Sequence, residues 1–415
     1  MSACKSFRAS CPRTVPLLAG PAPGTPAAAR DAPAPGASRV PAGRTPALLA
    51  ALLAAAFSLS FGAARARAAQ EDELRPPSPS APAKTNVWGL VGRDGNWVAP
   101  PRWAYIAPFR DGYARIYSKG KWGFVTRAGV IVSEPRFADA DDFGEGLAAV
   151  KLDGKYGYVN TDGDWALLPA FDEAWRFSEG LARVRCGRKM GFINTSGFLA
   201  VPCRYDYASH FSGGLARVRV RDLWGFVAPG GDEAILLSME GADDFSEGLA
   251  GARINGRWGF LNPEGKWAVG PRFDAQFQFS EGLAAVKENG RWGYVNRRGV
   301  IAVEPRFSQA LDFMGGRAPV SEGGRWGFIN TRGGWEIKPG FSLLLPFSEG
   351  RAPAMKDGLW GYIDSSGEWA VPPRYEAVFQ FSGGLAGVKE DGKWGFIDHD
   401  GNTVVKRFYS EVGGF

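Results

Sequence analysis

An aromatic residue or a methionine followed by glycine returns every 34 residues between positions 88 and 394, and no insertion or deletion breaks the interval. The markers are Trp88, Trp122, Tyr156, Met190, Trp224, Trp258, Trp292, Trp326, Trp360 and Trp394. A chain held to so strict a period folds as an array, in which each unit buries its apolar side against its neighbours. A length of 415 residues would allow two or three average domains, but the period overrides that prior and makes residues 87–415 one array of ten units.

The unit that starts at Trp258 shows the pattern of one repeat. Alternation in Trp258-Gly259-Phe260-Leu261-Asn262 places Trp and Phe on one face of a strand. Pro263-Glu264-Gly265 turns the chain, and its Gly recurs in all ten units from Gly95 to Gly401, as a turn position that needs a positive φ would require. The second strand, from Trp267, meets Pro271. Pro stands at this offset in seven units (101, 135, 169, 271, 305, 339 and 373), so the strand there must end, bulge or lie at a sheet edge. A short extended stretch from Phe273 to Phe279, the turn Ser280-Glu281-Gly282 and a strand Leu283–Lys287 complete the unit. No window carries a sustained helical period, which predicts almost no helix in the array.

Phe recurs before the third turn in nine complete units, from Phe109 to Phe381, and predicts equivalent rings stacked with the markers in a continuous aromatic core. The Gly after each marker is read as bare backbone on which a neighbouring ring lies flat.

The motif Lys/Arg-Trp-Gly-Phe/Tyr-Ile/Val-Asn/Asp, with Phe-Ser-Glu-Gly-Leu-Ala near the unit's end, resembles the bacterial WG (KWG) β-repeat family over about 80% of the chain. The resemblance implies an exported, β-rich repeat protein and carries over no catalytic residue. Met190 and Tyr156 depart from the marker Trp. So does the unit from Leu223 to Gly256, where Ile235-Leu-Leu-Ser-Met239 replaces Pro-Arg-Phe and predicts a distorted repeat.

Three strands per unit would reverse the chain at each repeat, so a short fourth strand around Phe273–Phe279 is needed for one unit to map onto the next. Ten units of 34 residues are many and short for propeller blades. The expected fold is all-β: tandem WG repeats in an open, curved β-superhelix or solenoid, with a β-propeller as the alternative.

Residues 45–62, TPALLAALLAAAFSLSFG, follow Arg44 and precede Ala-Arg-Ala-Arg-Ala-Ala, the order of a secretory signal peptide cleaved near Gln70. Residues 1–69 thus read as a disordered leader plus signal peptide, and 70–86 as a Pro/Ser-rich linker. The leader also explains the formal charge of +6. Without residues 1–69 the chain keeps 41 basic and 42 acidic residues, which argues against a nucleic-acid partner. The expected location is the periplasm, cell surface or exterior, with no transmembrane segment after cleavage.

No catalytic set rises above the repeat background. His210 and His399 occupy different offsets and suggest no metal site. Asp141-Asp142 and Asp243-Asp244 read as solvated turn residues. No cofactor is expected. A second Trp series, Trp97, Trp165, Trp267, Trp335 and Trp369, occurs in half of the units, beside an Arg row that includes Arg272 and Arg374. Trp267, Arg272, Trp335, Trp369 and Arg374 are the candidate binding residues for a protein or carbohydrate partner, with partly buried packing as the plainer role. The expected function is a non-catalytic, exported interaction scaffold; the alternatives are a cell-envelope carbohydrate hydrolase and a structural spacer. Cys186 and Cys203 invite a disulfide in an oxidising compartment, but strands on either side of Met190 would stand roughly 9 to 10 Å apart, which favours free thiols.

Overall fold

The computed structural model describes residues 87–409. The expected leader and its cleavage site, the linker over 70–86 and the last six residues lie outside them.

The described chain forms 38 strands and no helix. Strand β1 (Trp88–Val91) pairs with β2 (Trp97–Trp103), and β3 (Tyr105–Ile106), β4 (Tyr113–Ser118), β5 (Lys121–Thr126) and β6 (Ile131–Phe137) form an antiparallel sheet in chain order. Eight further four-stranded sheets follow the same order. Their strands are called here the short strand, the Ala strand, the marker strand and the Pro strand. The expected fourth strand is present, so all marker strands run the same way. Each sheet is out of phase with the sequence repeat, taking two strands from one unit and two from the next. Consecutive repeats are therefore tied by hydrogen bonding as well as packing.

The turns explain the glycines. Every marker-to-Pro turn Gly has a positive φ, between 74° at Gly265 and 92° at Gly367. Ser-Glu-Gly turns need two such residues, and Glu281 (53°) followed by Gly282 (78°) is the pattern of a primed hairpin turn.

The Gly after the marker has a different cause from the one expected. A Cβ on Gly259 would lie 2.5 Å from Val269 O and 2.7 Å from Pro271 N. The bulged backbone of the Pro strand, not a ring, covers this glycine. Register shifts between Trp258↔Phe273 and Phe260↔Val269 make the bulge, so Pro sits in a bulge on an edge strand. The unit from Leu223 keeps this register, Trp224↔Met239 and Phe226↔Ile235, so its backbone is not distorted despite the missing Pro.

The bulge also explains the cysteines. Pro202-Cys203 bows over Gly191, whose Cβ would meet Cys203 N at 2.7 Å. Cys203 thereby approaches Cys186 across the marker strand, with Cα atoms 6.0 Å apart, and the two form a disulfide. The flat-sheet spacing that favoured free thiols does not apply over a bulge.

Seven of the nine recurring Phe residues are buried, Phe109 and Phe347 being half-buried, and they pair locally instead of forming one continuous stack. Phe279 is 1% exposed and meets Phe260 edge-on, centroids 4.7 Å apart. The same pair recurs as Tyr158–Phe177, Phe192–Phe211 and Tyr294–Phe313 at 4.8 to 4.9 Å. The rings fall into separate clusters along the array, as expected where each repeat contacts only its neighbours.

The expected all-β tandem array, with no closed barrel among the described residues, is thus formed, and residues of its first and last sheets stand in contact. A Cβ on Gly129 would touch Val98, and one on Gly299 would touch Val269, each in the preceding unit. Gly95, with no unit before it in sequence, stands in the same way against Val405. Arg93 reaches Gly383 as Arg297 reaches Gly248.

Candidate interaction surface

The second Trp series is spent largely on joining units. Trp335 lies edge-on to Phe307 (5.7 Å), Trp369 to Phe341 (5.6 Å) and Trp165 to Phe137 (5.9 Å). Each Trp opens a Pro strand and reaches back to the Phe closing the previous one. Trp267 follows a strand that ends in Met239 and remains 39% exposed.

The Arg row reaches forward. Arg272 donates to Gly299 O (3.3 Å), Arg306 to Gly333 O (2.9 Å) and Arg204 to Gly231 O (2.8 Å), satisfying the carbonyl of the next unit's turn glycine. Arg272 also covers the Phe273 ring at 4.8 Å, while Arg374 covers Tyr375 at 5.0 Å and donates to its hydroxyl. Trp267 with Arg272, and Trp369 with Arg374, share strands; Trp335 stands on another.

The paired carboxylates are not turn residues in water. Asp141 and Asp142 lie in the strand Asp139–Gly144, where Asp142 accepts from Arg115 Nε at 2.6 Å. Arg217, 4% exposed, lies 3.3 Å from Asp244 and 3.9 Å from Asp243 of the next unit. Burial works against its charge, yet Asp244, Tyr207 and Asp243 hold its pKa above the ordinary arginine value. Arg115, Arg183 and Arg217 share one offset of the Ala strand, and each donates to a carbonyl 25 residues on. This Arg series, buried at Arg183 and Arg217 and half-buried at Arg115, was not foreseen; its signal was Leu-Ala-Arg-Val-Arg at 181–185 and 215–219, where an ordinary unit has Leu-Ala-Ala-Val-Lys.

Glutamates of the Ser-Glu-Gly turns form a second inter-unit link. Glu281 accepts from Gly315 N (2.6 Å) and Gly316 N (2.8 Å), Glu179 from Gly213 and Gly214, and Glu349 from Gly383 and Gly384. The adjoining serine adds a bond to the next unit, as in Ser280 Oγ to Phe313 O (2.7 Å). His399 stacks on Phe381 and lies 3.5 Å from Glu349.

The junctions also leave apolar side chains exposed. Leu168 (72%), Phe198 (72%), Leu199 (52%) and Leu236 (70%) project from three consecutive units, with exposed Pro202 between them. At the place of Leu168 other units carry Glu134, Glu304 and Lys338. This patch was missed because the place of Leu168 and Leu236 changes character from repeat to repeat, while Leu199 stands at the offset of the second Trp series.

The geometry defines a tandem β-repeat protein whose recurring polar and aromatic residues bind unit to unit. The sequence pattern of the WG containing repeat matches ten times, over 88–122, 122–156, 156–189, 190–224, 240–258, 258–292, 292–326, 326–360, 360–394 and 394–415, and the chain belongs to that family. The match shrinks to 240–258 in the unit that lost its Pro-Arg-Phe. No curated relative matches. Among solved structures the chain is similar to a eukaryotic initiation factor (13% identity, 73% of this chain and 97% of that one, TM-score 0.48). It is also similar to Hsv2 of Kluyveromyces lactis (10%, 52% and 89%, TM-score 0.32) and to PorZ, a surface component of the type-IX secretion system of Porphyromonas gingivalis (11%, 73% and 51%, TM-score 0.26).

Proposed function

We propose that this protein is an exported, non-catalytic scaffold that binds a protein partner. The observation that carries the reading is the exposure of the apolar residues Leu168, Phe198, Leu199 and Leu236 on three consecutive units, Leu168 and Leu236 standing where other units carry Glu134, Glu304 and Lys338. Large apolar side chains exposed on neighbouring repeats are of the kind that marks interaction surfaces. Leucine-rich apolar groups complement a protein surface, whereas a glycan reading would rest on the Trp faces, three of which are turned onto neighbouring Phe rings. Engagement of both Asp pairs by Arg favours a scaffold over a hydrolase. The leader-like sequence and the Cys186–Cys203 bond favour an oxidising compartment.

The test is affinity capture from the cell envelope by the processed protein, beside a Leu168→Ser, Phe198→Ser, Leu236→Ser variant. These exposed positions tolerate Ser, so folding is retained and partners are lost. Equal capture by both proteins refutes the patch. Loss only with Trp267→Ala, Trp335→Ala, Trp369→Ala returns the reading to the Trp series.

A further inference from the structure

One marker strand differs from the others. β5 and its eight counterparts pair on both edges, with a Pro strand on one side and an Ala strand on the other. β1 pairs with β2 alone among the described residues. Its register, Trp88↔Trp103, Leu90↔Ala99 and Val91↔Trp97, is that of a marker strand on a Pro strand, so the vacant edge belongs to an Ala strand. All four residues of β1 are half-buried, whereas Trp122 to Val125 of β5 are buried.

The other nine sheets state what such an edge takes. Opposite the residue two places after the marker Gly, where β1 has Val91, the Ala strand carries Ala in all nine, from Ala114 to Ala386. Opposite the Gly itself it carries Val or Ile in seven, the exceptions being Ala252 and Ala354. Opposite the marker it carries Lys or Arg in six, five of them against a ring, as in Lys287↔Trp292. The cation lies over that ring in Arg219 on Trp224, at 5.1 Å.

We propose that β1 is an acceptor edge for an extended segment of a partner protein reading Ala-x-Val/Ile-Lys/Arg, added antiparallel as a third strand with its cation over Trp88. Backbone pairing supplies affinity, and the alternate side chains supply selection, as in other strand-addition sites. Ala is specified because all nine paired sheets carry it opposite the counterpart of Val91. The inference does not depend on the apolar patch, which lies on other units.

The probe is a labelled peptide with the sequence of this protein's own Glu281–Gly290, Glu-Gly-Leu-Ala-Ala-Val-Lys-Glu-Asn-Gly. It is titrated onto the full chain while amide exchange of Trp88–Val91 is followed. Binding with a Kd on the order of 10 µM, and exchange slowed about tenfold or more in β1, are expected. A peptide with Asp in place of the Ala284 and Val286 residues should bind at least about tenfold more weakly. Equal binding of the two peptides, or none at about 1 mM, overturns the proposal. So does full protection of β1 in the free chain, which would mean that residues 1–86, residues 410–415 or a second copy already fills the edge; light scattering separates the last of these.

Discussion

Gly95 packs against Val405 as Gly129 packs against Val98, so the first turn of the array occupies on the last strand the place that every other turn takes on its predecessor. Stability should therefore be coupled across the ends. Val405 is 5% exposed, and Val405→Asp buries a charge without a partner, a costly change. Exchange protection is expected to fall in β1 and β2 as well as in Thr403–Tyr409. Loss confined to the last sheet would show that the ends do not support each other.

The Phe before the third turn should behave as core wherever both neighbours are present. Phe279 is 1% exposed and pairs with Phe260, so Phe279→Ala is expected to cost about 3 to 5 kcal/mol. Phe109 is only half-buried, and its replacement should cost less. Denaturant unfolding of both variants checks the order, and an unchanged midpoint for Phe279→Ala would contradict it.

Cys186 and Cys203 close a sequence separation of 17. Constraint of the unfolded chain by a loop of that size stabilises by about 3 kcal/mol. A non-reducing peptide map should recover the two cysteine peptides joined, and Cys186→Ser should lower the unfolding midpoint. Recovery of both peptides as free thiols would refute the bond.

The strands, turns and tandem order were legible because they follow from local chemistry repeated ten times: alternation, Gly at positive φ, Pro off the ladder. The bulge was less legible. Pro271 signalled an irregularity but not that the backbone would lie over Gly259, and the same omission misplaced Cys203 relative to Cys186. Junction chemistry was hidden for another reason. Arg272 and Trp335 look like surface residues in one repeat, and their partners, Gly299 and Phe307, belong to neighbouring units. A recurring exposed-looking residue in an array is as well explained by the next unit as by a ligand.

The glutamate link gives the array a defined response to acid. Amides of Gly384 and Gly383, with His399 and Arg93 nearby, hold the Glu349 carboxyl below the ordinary glutamate value. A carboxylate whose folded pKa is depressed contributes stability above its unfolded pKa, near 4.3, and loses it as pH falls through the lower folded value. The side chain is 37% exposed, so screening by water and salt keeps the effect small. Glu349→Gln keeps the shape and removes the charge. Its thermal midpoint should lie below that of the wild type at neutral pH, and the gap should close as pH is lowered from about 5 toward 3. Raising salt should narrow the gap at neutral pH. A gap of constant size across that range would show that the carboxylate charge does not hold the turn of the following unit.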